Sequence, residues 1–321
     1  MEKKELLSVV VPCYNEQETV HLFYDALSKQ MESLPYDYEI IFVNDGSKDD
    51  TLNQLMDLYH HHNDVVKVVE FSRNFGKEGA LLAGLTKAKG DYVTVMDADL
   101  QDPPSYLPQM FDCIKNEGYD VVGLRRVDRK GEPPIRSFFA RQFYKLINKF
   151  TEVEIVDGAR DFRLMKREVV DSILSLTETQ RFSKGLFVWV GYKTKYLEYQ
   201  NVERVAGETS WSFWGLFKYA ISGIVAFTTA PLQLATFSGL FISFATFCYM
   251  IYVFIKALIF KDPVPGYPSM MVMILFLGGI QLLAIGILGE YLSKTYMETK
   301  KRPNFIIRKY YEGEDDEQFN G

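Results

Sequence analysis

Asp97-Ala-Asp99 is the place where residue types and spacing in this chain come closest to a catalytic site. Tyr92 to Met96 is a short apolar run with β-branched residues, which predicts a buried strand. The run stops at Asp97, so both carboxylates fall at the carboxyl edge of a sheet, where open α/β folds bind ligands. In an extended Asp-Ala-Asp the first and third side chains leave on the same side. Two carboxylates so placed repel unless a cation lies between them. Hard oxygen ligands suit Mg²⁺ or Mn²⁺, usually shared with substrate phosphates. Gln101 and Asp102 follow, and Pro103-Pro104 closes the segment. A solvated turn after a strand is the alternative, and the rest of the chain has to decide between them.

The elements that must position these acids are legible in order. Leu6 to Val11 is a first strand ending at Pro12, and Asn15-Glu-Gln-Glu opens a helix with Asn15 as its cap. Glu39 to Val43 is a second strand ending at Asn44-Asp-Gly-Ser, and Asp49-Asp-Thr starts the next helix. Val65 to Phe71 is a third strand, followed by Ser72-Arg-Asn-Phe-Gly-Lys and a Gly- and Ala-rich helix over about Glu78 to Ala88. After the Asp91–Met96 strand come a helix from Ser105 to Asn116 and a strand from Asp120 to Leu124. Strands alternating with helices predict a parallel sheet covered on both faces. Four strand ends then gather polar residues on one edge, an arrangement that suits a nucleotide-diphosphate donor. No G-x-G-x-x-G follows the first strand and no Walker-type Gly-Lys-Ser/Thr occurs, against a dinucleotide or ATPase site.

Beyond the sheet lies a basic stretch with Arg125, Arg126, Arg129, Lys130, Arg136 and Arg141. It reads either as a solvated helix entry at Pro133-Pro134 or as a phosphate clamp, since arginine grips phosphate with a planar fork. Asp161 and Arg163 lie two apart in a predicted strand within Asp157–Met165. Phe182–Gly191 reads as a short helix, and Lys193–Glu203 as a strand or hairpin arm.

The composition is 47% apolar with a net charge of −6, which argues against nucleic acid as a partner. Cys13, Cys113 and Cys248 lie far apart, without metal or redox spacing, and read as buried reduced thiols. The opening residues lack the features of a signal peptide. No charge occurs from Tyr219 to Ile255, nor from Pro263 to Gly289. Runs of that length predict two membrane spans, about Leu232–Phe260 and Ser269–Leu292. Two very apolar core helices of a soluble protein are the competing reading. Trp211 to Phe227 is aromatic-rich with only Lys218 charged, which predicts a helix lying on the membrane surface. Lys294, Lys300, Lys301, Arg302, Arg308 and Lys309 follow the second span, so the positive-inside rule puts the catalytic domain and both termini in the cytoplasm. The expected division is 1–210 catalytic domain, 211–230 interfacial helix, 231–293 two spans and 294–321 tail. The acidic run from Glu312 reads as disordered.

Val10-Val-Pro-Cys-Tyr-Asn-Glu16, Asn44-Asp-Gly-Ser47, Ser72-Arg-Asn-Phe-Gly76 and Asp97-Ala-Asp-Leu-Gln-Asp-Pro-Pro104 together resemble the GT-A glycosyltransferases of family 2. The branch with the greatest likeness is the polyprenyl-phosphate glycosyltransferases, which include dolichol-phosphate mannosyltransferases and two-span bactoprenol glucosyltransferases. The likeness runs from Leu7 to about Ile307. It implies an α/β, Rossmann-like GT-A domain with a mostly parallel sheet, then an interfacial helix and two transmembrane helices. It implies transfer of a sugar, glucose favoured, from a UDP-sugar to undecaprenyl phosphate in the bilayer, with inversion, Mg²⁺ or Mn²⁺ dependence and a homo-oligomeric state. By the same resemblance Pro12, Tyr14, Glu16, Asp45, Arg73, Ala98 and Gln101 hold the nucleotide sugar. Asp97, Asp99 and Gln101 surround the metal. Arg125, Arg136 and Arg204 take phosphates, Asp161 stands at the position of the proposed base, and Arg163 and Asp99 join it as catalytic candidates.

The family often shows Arg-x-x-Gly-x-Ser-Lys-Trp before the interfacial helix, whereas here Thr209 and Ser210 replace the serine and the lysine. A contact made by that lysine must be absent or supplied by Lys184 or Lys218. Asn44 replaces the first acid of the common Asp-Asp-Gly-Ser, while Asp45 is kept. A processive polysaccharide synthase would carry Gln-x-x-Arg-Trp and more spans; Gln180-Arg-Phe is the nearest string. A catalytically inactive anchor would have no need of Asp97, Asp99, Asp161 and Arg204.

Overall fold

The computed structural model describes residues 4–127, 148, 156–179, 181–199, 229–260 and 266–313. The chain divides into two compact units, Met1–Leu216 with Arg302–Gly321, and Phe217–Lys301. In the first unit an 8-stranded sheet runs in the order β7-β5-β6-β4-β1-β2-β3-β8. The strands are β1 (Leu6–Cys13), β2 (Asp37–Asn44), β3 (Val66–Phe71), β4 (Tyr92–Val95), β5 (Val121–Arg126), β6 (Ala159–Lys166), β7 (Thr194–Tyr199) and β8 (Ile307–Tyr311). β1 pairs in parallel with β2 and β4, β2 with β3, and β5 with β7. The alternating pattern predicts the parallel core of this sheet, and the mostly parallel, GT-A-like architecture is the one that the resemblance implies.

The helices are α1 (Val20–Met31), α2 (Thr51–His61), α3 (Lys77–Lys87), α4 (Leu107–Lys115), α5 (Arg167–Ser175) and α6 (Ser183–Trp189). Side chains alternate across the sheet, so one strand feeds two cores. Val9 and Val11 pack with Phe23, Leu27, Leu55 and Met110 of α1, α2 and α4. Val10 packs with Ala80, Leu81 and Ala83 of α3 and Val169 of α5. The small residues of α3 have a steric reason: a Cβ added at Gly84 would lie 2.2 Å from Val10 Cγ1.

Four local expectations change. Asn15 does not cap α1; the helix starts at Val20 behind Thr19, and Asn15 adopts a φ of 57°. Its amide and side chain bond instead to Ser47 and Lys48 (3.0 and 2.9 Å), which zips the end of β1 to the end of β2. β6 runs antiparallel between β4 and β5, a partner choice that local sequence does not encode. Asp97-Ala-Asp99 is not extended: β4 ends at Val95, and the chain turns through Ala98 to Leu100, whose φ is 54°. The shared-side argument for an extended segment therefore does not apply. Lastly, the tail returns as β8, antiparallel to β3, with Tyr310 buried. Glu312, expected in a disordered run, is paired with Lys67 and Lys89. The segment 211–227 lies outside the described residues.

In the second unit, α7 (Ala230–Phe260) and α8 (Tyr267–Thr299) each contain a stretch long and apolar enough to cross a membrane, Pro231–Tyr249 and Phe276–Thr299. Among the described residues, none of their large apolar side chains is buried. Phe237, Phe241, Phe244, Leu282, Leu283 and Ile285 are all exposed, which favours lipid over the soluble-core reading.

Candidate functional site

The sheet order creates the site's location. β1, β2 and β3 build in one direction, and the chain then crosses to place β4 on the other side of β1. Ligands in such sheets bind at this switch point, outside the carboxyl ends of the strands. Pro12 and Cys13 end β1, and Asp97 follows β4, so the predicted acids lie where the topology opens a crevice. Burial, aided by Glu16, Asp97 and Asp49, pushes the Cys13 thiol up, so it stays protonated.

The first turn of α3 ties this edge together. Asp45, at the end of β2, accepts the backbone N–H groups of Phe75 and Gly76 (2.6 and 2.9 Å). Burial pushes its carboxyl up, against these two bonds. Lys77 Nζ lies 2.7 Å from Asp97 Oδ1 and 2.9 Å from Oδ2, and 2.5 Å from Asp161 Oδ2. Glu78 accepts the N–H of Ser183 at the start of α6 (3.0 Å). Three consecutive groups of one turn thus reach the ends of β2 and β4, β6 and α6. Asp97 and Asp161, far apart in sequence, meet at one ammonium. Burial pushes the Asp161 carboxyl up, but Lys77, Lys184 and Arg163 outweigh it and hold it well below the usual carboxylate range. Lys77 was not among the sequence-predicted site residues; a single lysine after Phe75-Gly76 reads as a solvated helix start, and only the fold brings the acids to it.

Asp99 is nearly buried, and its Oδ1 accepts the N–H of Gln101 (3.1 Å), which fixes the turn. Gln101 Oε1 accepts from Arg160 (3.1 Å). Arg160 also grips Asp102 (3.0 Å), which accepts from the Tyr199 hydroxyl (2.5 Å). Burial opposes the Arg160 charge, but Asp102 outweighs it and pushes the guanidinium up. This buried set, which sequence reasoning missed, braces the turn carrying the acids from β6 and β7.

The other candidates are spread around the edge. Pro12 and Glu16 are half-buried, Tyr14 is exposed and Ala98 is buried. Glu16 accepts from the Thr19 hydroxyl (2.7 Å). The Arg73 guanidinium stacks over the Phe75 ring at 4.0 Å. Arg125 donates to the Asp157 carbonyl (3.1 Å) and faces Glu198 at 3.8 Å, apart from the Asp97–Asp161 pair's contacts. Arg163 is buried, donates to the carbonyls of Asp161 and Arg160 (3.2 and 2.9 Å), and lies 3.8 Å over the Phe187 ring. Its guanidinium is thereby bonded to the backbone under Asp161. Arg136 and Arg204 lie outside the described residues, as do Gln180, Thr209, Ser210 and Lys218.

Among the described residues no cluster of three or more His, Cys, Asp or Glu side chains could enclose a metal. The donor set nevertheless fits Mg²⁺ or Mn²⁺ of the kind that takes few protein carboxylates and completes its shell with phosphate and water. Asp97 and Asp99 supply hard oxygens at the ligand edge, and Asp97 already draws a cation onto both of its oxygens.

Residues 8–174 match Glycosyl transferase family 2, and residues 230–295 match the GtrB C-terminal hairpin. The chain belongs to glycosyl transferase family 2. It is a glycosyltransferase, with the hairpin of the GtrB type as its second unit. The "Putative glycosyltransferase CsbB" of Bacillus subtilis is 47% identical over 306 residues, 95% of this chain and 92% of that protein. The "SfII prophage-derived bactoprenol glucosyl transferase" of Shigella flexneri is 44% identical over 307 residues, 96% of this chain and 99% of that protein. Among solved structures, the mannosyltransferase PcManGT from Pyrobaculum calidifontis, in complex with GDP-Man and Mn²⁺, is 18% identical with a TM-score of 0.49, covering 91% of this chain and 88% of that one.

Proposed function

We propose that this enzyme moves a glucosyl group from UDP-glucose to the phosphate of a membrane polyprenol, undecaprenyl phosphate, with inversion at the anomeric carbon. One observation carries the reading: the similarity to a bactoprenol glucosyl transferase extends over 96% of the chain, catalytic unit and hairpin together. The exposed apolar faces of α7 and α8 supply the physical reason for a lipid acceptor. The acceptor's tail stays in the bilayer while its phosphate meets the sheet edge.

The chemistry assigns work to the residues already placed. Pro12, Tyr14, Glu16, Asp45 and Arg73 receive the nucleoside, and Asp97 and Asp99, with Gln101 beside them, would hold Mg²⁺ or Mn²⁺ against the donor diphosphate. When bound, that ion stabilises the charge that develops on the leaving diphosphate. Arg125, Arg136 and Arg204 take phosphates of acceptor or leaving group. A phosphate monoester has a second pKa of about 6, so the acceptor is mostly dianionic at neutral pH and needs little deprotonation. Asp161, held ionised, therefore acts by charge and position on the reacting centre rather than by removing a proton. Residues 1–210 form the cytoplasmic catalytic domain, 211–230 the interfacial helix and 231–293 the two spans. The 294–321 tail returns on the cytoplasmic side.

The test is incubation of membranes carrying the protein with a panel of labelled nucleotide sugars and undecaprenyl phosphate, followed by lipid extraction. Label from UDP-glucose entering the lipid phase is the expected result. Label entering only polymer, or no lipid label from any donor, would overturn the proposal.

A further inference from the structure

The contact between Lys77 and Asp97 and a metal bond to Asp97 compete for the same two carboxylate oxygens. Lys77 Nζ sits over both carboxylate oxygens of Asp97, at 2.7 and 2.9 Å, and reaches Asp161 at 2.5 Å. A divalent ion would approach an Asp97 oxygen to about 2.0–2.1 Å. It would then stand within close range of an ammonium, and like charges at that separation repel strongly. An ion bound at Asp97 is therefore weakened for as long as Lys77 stays on it.

Lys77 is built for such an exchange. Its backbone is fixed, because the preceding amides are held by Asp45 and the following Glu78 is held by Ser183. Its side chain is 40% exposed, and a lysine is a compact charge on a flexible four-carbon stem. Asp161 does not depend on Lys77 alone, because Lys184 and Arg163 also favour its ionised form. The diphosphate of a nucleotide sugar offers a departing ammonium new anionic oxygens at the same edge.

We propose that Lys77 competes with the divalent ion for Asp97 and positions Asp97 against Asp161, so that metal enters together with the donor diphosphate rather than ahead of it. This rests on the metal-dependent reading of the site given above. Lys77 is a positioning residue: it acts through the two acids.

The experiment measures Mn²⁺ binding, by calorimetry and by the spectrum of free Mn²⁺, to the full chain in detergent, with and without UDP. Wild type, Lys77→Met and Lys77→Arg are compared. Without UDP, Lys77→Met binds Mn²⁺ roughly tenfold or more tightly than wild type, because the competing charge is gone. Lys77→Arg, which keeps a cation there, stays near wild type. With UDP the gap between Lys77→Met and wild type shrinks toward unity. A purely structural lysine would not produce a gain confined to the nucleotide-free protein. Equal Mn²⁺ affinities of wild type and Lys77→Met without UDP, with UDP-dependent binding intact in both, overturn the proposal alone. No Mn²⁺ binding by any of the three proteins, even with UDP, overturns the metal reading and the proposal with it.

Discussion

Asp45 accepts the backbone N–H of Phe75 at 2.6 Å, and through that bond the end of β2 sets where α3 begins. Its other oxygen takes the N–H of Gly76. Asp45→Asn keeps the shape but turns an NH₂ toward one of the two donors. The lost bond and the unsatisfied, half-buried N–H cost about 1–3 kcal/mol. The expected outcome is a lower melting temperature and weaker UDP binding, since the loop carrying Arg73 loosens. An unchanged melting temperature would show that the Phe75 loop is held by other contacts.

Gly46 tests the same junction sterically. Its φ is +62°, and an added Cβ would lie 2.5 Å from the Arg73 carbonyl carbon and the Asn74 nitrogen. Neither backbone atom can step aside cheaply, and the left-handed conformation adds strain. Gly46→Ala should destabilise the catalytic unit by roughly 1–3 kcal/mol, the range of overpacked sites. Thermal unfolding reads this directly, and a variant as stable as wild type would mean that the two loops are further apart.

Glu312 predicts a pH dependence. Burial pushes its carboxyl up, but Lys67 and Lys89 outweigh this and hold it down at about 2. A depressed folded pKa gives stability that is present above the unfolded value, about 4.3, and lost as pH falls through the folded one. Glu312→Gln should therefore speed amide exchange in β8 at neutral pH. The difference from wild type should fade as pH approaches 2. Equal exchange at pH 7 would mean that the Lys67 and Lys89 contacts do not hold the strand.

Much of this was legible in the sequence, for a physical reason. β1 to β5 are apolar runs that stop at polar residues, and α3 is small because its neighbour is Val10, so local pattern and packing agree. What local pattern cannot carry is the choice of partner. β6 inserts antiparallel beside β4, which is how Asp161 reaches Asp97, and the lysine between them is unremarkable in sequence. Arg160, Asp102 and Tyr199 come from separate segments for the same reason. Asn15 looked like a helix cap because caps and left-handed turns share residue preferences. Spacing puts Arg163 two residues from Asp161, but only the fold shows its guanidinium bonded to the carbonyls of Asp161 and Arg160.

The metal proposal has its own test. Asp99→Ala removes a hard oxygen at the turn and also the acceptor for the Gln101 N–H. Transfer should be abolished, while loss of the Gln101 bond lowers stability by about 0.5–1.5 kcal/mol, read as a modest fall in melting temperature. EDTA should silence the wild type, and Mn²⁺ or Mg²⁺ should restore it. Full activity in EDTA would remove the ion from the mechanism.

Asp161 separates two mechanisms. A general base needs a pKa near the working pH, whereas Lys77, Lys184 and Arg163 hold this carboxyl below its usual range against the effect of burial. The sign is plain: a lowered pKa keeps the group ionised across the whole neutral range and makes it a poorer proton acceptor. If Asp161 acts by charge and position, Asp161→Asn should lose activity by the same factor at every pH between about 6 and 8.5, the range over which a phosphate monoester completes its second ionisation. If it acts as a base, the loss should be greatest at low pH, where the acceptor still carries a proton, and the mutant should climb toward wild type as pH rises. The measurement is the pH profile of transfer at saturating polyprenyl phosphate for both proteins. The flat outcome is expected, because the acceptor supplies its own dianion and the chain spends two lysines on keeping Asp161 charged. UDP binding should change little in Asp161→Asn, since β1 and β2 carry the nucleoside residues; a mutant that no longer binds UDP would move Asp161 into the donor site.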